Sequence, residues 1–131
     1  VERIGDPAAM GLTDAVDQQD HLAVVAERVT GDGAEIVGVA RVVRFADDSG
    51  EVGIVVGDEW RRRGIGLALL RSLALASWRV GILDWTVLRL PENDNVDRLV
   101  QRVASLTAAT QSGGVVEGTH RLLPAGVAVH R

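Results

Sequence analysis

The run Arg61-Arg62-Arg63-Gly64-Ile65-Gly66 sets three guanidinium groups and two glycines where a valine-rich segment gives way to a leucine-rich one. Arginine offers planar, charge-assisted donors that suit phosphate and carboxylate oxygens. A helix that opens at glycines exposes backbone N–H groups which an anion can approach closely. The chemistry open to this segment is therefore anion binding at a helix N-terminus. The plain alternative is a tight turn with solvated charges and packing glycines. Two familiar phosphate loops are excluded. A P-loop needs a lysine after its second glycine, and all 14 basic residues here are arginine. A dinucleotide fingerprint needs Gly-x-Gly-x-x-Gly in an all-parallel sheet, whereas Gly64-Ile65-Gly66 leads to Leu69.

Composition narrows the rest. The chain has no cysteine, so disulfides, thiolate nucleophiles and cysteine metal sites are excluded. It has no tyrosine either, which removes one common proton donor. His21, His120 and His130 are isolated and lack metal-ligand spacing, so no metal is expected. A net charge of −4 argues against general affinity for nucleic acid. No apolar run approaches the roughly 18 residues of a membrane span, and no signal-peptide layout appears. Neither nucleic acid nor membrane is expected as a partner, and the expected location is cytoplasmic. With 131 residues, 47% apolar and 24% charged, the chain reads as one globular domain over 1–131. It opens on Val1 rather than methionine, which suggests a trimmed segment.

The elements that must position the arginine–glycine segment follow from periodicity. Residues 7–20 are small and polar, with a weak helical stripe through Met10, Leu12 and Val16. Residues 21–29 form an apolar run expected as a strand. Residues 30–35 (TGDGAE) have hairpin chemistry, and 35–45 read as a second strand. A turn over 46–50 leads to a third strand over 51–56, completing an antiparallel meander. Beyond the glycines, Leu69, Leu70, Leu73 and Ala76 fall at helical spacing from Ile65 to about Arg79, with Gly81 as C′ residue. Residues 82–90 read as a strand parallel to 51–56, because a strand–helix–strand passage of this length is a right-handed crossover. Pro91 stops it, and a second helix is expected to carry Val96, Leu99, Val100 and Val103. Residues 107–114 read as a loop, followed by one or two weak terminal strands. The class is α+β, with two helices covering the sheet.

The stretch VVGDEWRRRGIGLALLRSLA resembles the acyl-CoA-binding motif of the GNAT N-acetyltransferase family. That motif is a strand, then Gln/Arg-x-x-Gly-x-Gly/Ala, then a helix. Arg61 falls on the Gln/Arg position, Gly64 on the first glycine and Gly66 on the second. The preceding meander and the following LDWTVLRLPENDNVDRLV match the family's order, and the resemblance covers roughly residues 12–105. Within the family the chain is most similar to bacterial protein lysine acetyltransferases, on LTDAVDQQDHLAVVAE, VGVARVVRF and GEVGIVV.

The resemblance implies a GNAT-like fold and acetyl-CoA-dependent acetylation of a primary amine, a protein lysine or a small amine. It implies that the CoA pyrophosphate is held by N–H groups from Arg61 to Gly66, Ile65 included. Arg62 and Arg63 would be supplementary donors or solvated charge. The pantetheine arm would pair with the backbone of Ile54, Val55 and Val56, and Asn93 would contact the cofactor. Glu51 matches the family's general base; its plain alternative is a solvated strand-end carboxylate. Glu92 is a second carboxylate, better suited to capping a helix. Trp60 and Trp85 read as core or cleft-wall residues.

The chain also departs from the pattern. Residues 1–20 leave no apparent room for the family's first strand, and Leu67 replaces a polar helix-start residue. A non-catalytic acyl-CoA-binding or regulatory domain is therefore the alternative reading, with a different anion-binding module behind it. Homodimerisation is left open.

Overall fold

The structure is a computed structural model that describes residues 2–5, 17–61 and 63–124, with side chains from residue 17 onward. Among these residues seven strands form one mixed sheet: β1 (Glu2–Gly5), β2 (His21–Thr30), β3 (Gly33–Ala46), β4 (Ser49–Val56), β5 (Asp84–Arg89), β6 (Ala104–Ser112) and β7 (Val115–Leu122). Their spatial order is β1-β2-β3-β4-β5-β7-β6. Helix α1 (Ile65–Arg79) links β4 to β5, and helix α2 (Asn95–Val100) links β5 to β6. The antiparallel meander, the parallel crossover and both helices stand as the sequence leads one to expect.

The chain turns sharply where its residues favour it. Gly31 and Asp32 make the two-residue link that pairs Thr30 with Gly33. Ahead of β2, Asp17 Oδ1 accepts the backbone N–H groups of Gln19, Asp20 and His21 at 2.8–2.9 Å. These bonds, His21's foremost, lower the Asp17 pKa to about 2. Helix α1 ends in a Schellman arrangement: Ile82 N–H donates to Ser77 C=O at 2.9 Å and Gly81 N–H to Trp78 C=O at 3.2 Å. Gly81 takes φ +81°, as expected of a C′ glycine.

Both helices lie on one face of the sheet. Leu69, Leu70 and Leu73 of α1 are fully buried with Leu22, Ala40, Val42 and Val52, and with Trp85 and Val87 beyond them. Trp85 donates its indole N–H to Ser77 Oγ at 3.1 Å, so the buried ring carries no orphan donor. On the opposite face Val43, Phe45, Val55 and Leu88 stay exposed.

Three expectations are corrected. A strand does precede the meander, since Glu2–Gly5 pairs antiparallel with Val25–Arg28. It has four residues and only one aliphatic side chain, too short to show a period. Residues 107–112 are not loop but the body of β6, an edge strand buried only at Ala104. With no buried face it has no alternation to read; backbone pairing with β7 holds it, through a Gly113-Gly114 turn with φ +59° and +79°. Helix α2 stops at Val100, before Val103. Arg102 and Val103 continue in tighter i→i−3 bonds to Leu99 and Val100, which still bury Val103 completely. The stripe through Met10, Leu12 and Val16 lies outside the described residues.

Candidate active site

The parallel ladder between β4 and β5 is short. It registers Ser49 with Asp84, Gly50 with Trp85, Glu51 with Thr86 and Val52 with Val87, and stops there. Both strands run on, β4 to Val56 along β3 and β5 to Arg89 along β7. They diverge and leave a wedge. Gly57 N–H donates to Val37 C=O at 2.8 Å, toward β3. Backbone groups alternate sides along a strand, so those of Val55 also point toward β3. The N–H and C=O groups of Ile54 and Val56 therefore face the wedge. Of the three residues expected along a pantetheine arm, Ile54 and Val56 present backbone groups to the gap, while Val55 contributes an exposed side chain to the open face.

Helix α1 begins at the mouth of this wedge. The chain leaves β4 through Gly57 and a single 3-10 turn at Asp58–Trp60. Gly64 is the N-cap, with φ +80°, and a Cβ there would meet nothing within 4 Å. Ala68 N–H makes the first helical bond, to Gly64 C=O at 3.1 Å. The N–H groups of Ile65, Gly66 and Leu67 thus lack intrahelical partners, no described side chain caps them, and the first turn holds no acid. This is a ready anion cradle. Gly66 serves differently: a Cβ there would come 2.8 Å from Leu99 Cδ2 and 3.7 Å from Ile54 Cδ1. Its missing side chain lets α1 approach α2 and β4. The first glycine frees the backbone conformation and the second allows the packing.

The arginines also divide. Arg61 is 67% exposed and makes one solvent-facing pair with Asp58 at 3.2 Å, which leaves it available to an incoming anion. Arg63 lies over the Trp60 ring at 4.7 Å, as does Arg28 at 5.3 Å. That cation–π contact ties Arg63 to a buried anchor. Arg62 lies outside the described residues. Trp60 and Trp85 are both buried, as expected.

Asn93 is exposed in the turn between β5 and α2, its N–H donating to Leu90 C=O at 3.0 Å. Arg89 organises this turn. Its Nε donates to Asp97 Oδ2 at 2.6 Å and its Nη1 to the carbonyls of Leu90 and Pro91 at 3.0 Å each. Glu92 does not cap α2; Asp94 is the N-cap residue, and its carboxylate accepts from Arg98 instead.

Glu51 stands on the open face, one residue before the ladder ends. With Val43, Phe45, Thr86 and Glu117 it lines a groove of about 360 Å³. Thr86 and Glu117 were not singled out from the sequence, because they enter only through strand register, Thr86 through β4–β5 and Glu117 through β5–β7. Of the histidines, His21 is half-buried on β2, His120 is fully buried under α2, and His130 lies outside the described residues. Burial pushes the His120 pKa below the ordinary imidazole value, against the opposing pull of the Asp97 carboxylate and the Trp85 carbonyl. Among the described residues no group of histidine and acidic side chains could hold a metal ion. No described helix is long and apolar enough to cross a membrane.

Strands that part at the mouth of a glycine-opened helix fit the acetyltransferase reading of the sequence. Residues 19–102 match the acetyltransferase (GNAT) domain, and the chain belongs to that family. No curated protein matches by sequence. Among solved structures, the chain is similar to the cAMP-binding acyltransferase from Mycobacterium smegmatis, with TM-score 0.70 and 25% identity over 93% of this chain. It spans only 37% of that protein. The GNAT domain of S. lividans PAT aligns with TM-score 0.70 and 22% identity, over 90% of this chain and 70% of that one. YncA from Salmonella typhimurium, solved with its cofactor acetyl-CoA, aligns with TM-score 0.69 and 17% identity, over 88% and 71%. The latter two likenesses speak to fold.

Proposed function

We propose that this domain transfers an acetyl group from acetyl-CoA to a primary amine. The observation that carries the reading is the meeting of two sets of unpartnered backbone groups. The open edge of β4 at Ile54 and Val56 runs toward the uncapped first turn of α1 at Ile65–Leu67. An extended amide-bearing arm suits the first and a pyrophosphate the second. Arg61 and the Gly64 cap complete the cradle, and Asn93 stands on the turn before α2.

The residues then divide the chemistry. A lysine-type amine has a pKa near 10.4, so presenting it neutral at pH 7 costs roughly 4–5 kcal/mol. Glu51, on the open face beside the last ladder pair, accepts that proton directly or through water. A positioned base supplies about 10²–10⁴ in rate. The amine nitrogen bonds to the acetyl carbon as the thioester C–S bond breaks, and the sulfur leaves as thiolate. Ile54 and Val56 N–H groups aim at the wedge, where the carbonyl oxygen gains charge. The chain has no tyrosine to return a proton to sulfur, so solvent does so.

Calorimetry with acetyl-CoA and thiol release with lysine peptides and small amines test the reading. Glu51→Gln is expected to lower kcat by at least about 100-fold while acetyl-CoA affinity holds. Binding without thiol release from any amine would leave an acyl-CoA-binding domain. Absence of binding would remove both.

A further inference from the structure

We infer that Glu117 is an acceptor-binding carboxylate, and that the natural acceptor carries a second positive charge besides the amine it presents. This rests on the transferase reading above, with Glu51 as base.

The register places the two carboxylates on either side of the wedge's apex. Val43, Glu51, Thr86 and Thr119 form one row across β3, β4, β5 and β7 on the open face. Leu88 and Glu117 pair one pleat further along, beyond the Val52–Val87 position where the ladder ends. Strand spacings of about 4.8 Å across and 3.3 Å along separate the two Cα atoms by roughly 12 Å. Both side chains line the same groove, with Val43 and Phe45 as an apolar wall and Thr86 between them. The wall suits an aliphatic stem.

Neither glutamate pairs with a described cation. Arg121 is held by Asp84 at 2.7 and 3.0 Å. Exposed Arg41 stands opposite Gly53, one pleat along β3 and outside the groove lining. Two unneutralised carboxylates sharing a groove favour a cationic occupant.

Chemistry then decides which cation Glu117 holds. If it gripped the reacting ammonium, it would stabilise the protonated form that cannot attack, and binding energy would be spent on the unreactive ground state. Glu117 is productive only when it holds a different cation and so sets where the reacting amine stands over the wedge. The distance suits a short diamine, or a lysine next to a basic residue in a peptide.

The test compares 1,5-diaminopentane with pentylamine, and acetyl-Lys-Arg-amide with acetyl-Lys-Ala-amide, by thiol release from acetyl-CoA. At least one pair is expected to show a ten-fold or greater preference in kcat/KM for the dication, expressed mainly in KM, and the pair that shows it identifies the source. Glu117→Gln removes most of that preference, leaving acetyl-CoA affinity within about two-fold. Glu117→Lys, which reverses the charge, turns the preference against the dication. Equal kinetics within both pairs, or a preference that survives Glu117→Gln, overturns the inference. Calorimetric binding of 1,5-diaminopentane and pentylamine to the CoA-loaded protein separates the two levels. Without turnover, diamine binding that exceeds pentylamine's and weakens ten-fold in Glu117→Gln sinks the transferase reading and upholds the role of Glu117. No difference in binding sinks the latter.

Discussion

Gly64→Ala and Gly81→Ala form a matched pair that isolates the anion cradle. Both glycines hold left-handed backbone, φ +80° and +81°, and a Cβ at either would meet nothing within 4 Å. Each substitution therefore carries the conformational penalty alone, about 1–2 kcal/mol. For a domain of this size that lowers Tm by roughly 4–7 °C. The two sites flank the same fifteen-residue helix, roughly 25 Å apart. Relaxing φ at Gly64 shifts the N–H groups of Ile65 and Gly66, whereas relaxing it at Gly81 disturbs only the C-terminal cap. A hydrogen bond to a charged group contributes about 1.5–3 kcal/mol. Losing the alignment of one such donor should weaken acetyl-CoA binding roughly 10- to 100-fold. Thermal melts and calorimetry on the two variants make the comparison, with Gly64→Asn intermediate because asparagine tolerates this conformation. The reasoning is refuted if both alanine variants bind acetyl-CoA equally well, or if Gly64→Ala melts lower with an unchanged Kd.

Two further predictions concern what holds the site. Arg89→Met leaves the buried Asp97 carboxylate uncompensated and frees the Leu90 and Pro91 carbonyls. It should cost about 3 kcal/mol in urea unfolding, with Arg89→Met/Asp97→Leu recovering most of it; a loss below about 1 kcal/mol would contradict the clamp. His120 predicts a pH dependence. Its folded pKa is depressed, so the unfolded chain binds the proton more readily, and stability is present above the unfolded pKa near 6.5 and falls as pH drops through it. The loss reaches at most about 1.4 kcal/mol by pH 5.5, and urea titrations of His120→Gln should show a flatter profile than the parent.

How much of this could be read from the chain depended on whether a side-chain pattern or a backbone register carried the information. Leu69, Leu70 and Leu73 repeat because α1 buries one stripe, and Gly81 announces its end, so α1 was legible nearly to the residue. The β2–β3 hairpin was marked by Gly31 and Gly33. Strand β6 was opaque because Thr107 to Ser112 bury nothing, and β1 because four residues hold no period. At the candidate site, Gly64 and Gly66 were marked by their place at a helix start and Arg61 by the motif the chain resembles, but the packing duty of Gly66 required knowing that Leu99 lies opposite. Glu117 could not be found at all, since only the antiparallel register of β5 with β7 brings it beside Glu51's groove. The orientation of Ile54 and Val56, rather than Val55, likewise depended on which strand Gly57 bonds.

The four-rung ladder between β4 and β5 has a mechanical consequence. The sheet is two half-sheets, β1–β4 and β5–β7, hinged on the pairs from Ser49–Asp84 to Val52–Val87, with α1 packed chiefly on the first and tied to the second by the Trp85–Ser77 hydrogen bond. Ile54 and Val56 amides on the unpaired margin should exchange their hydrogens with solvent far faster than Val52 next to them. If the proposed function holds, an extended arm of the donor substrate in the wedge would pair there as an added strand. It would slow exchange at those two amides and at the same time stiffen the hinge, so that the donor substrate is, while it stays, part of the fold.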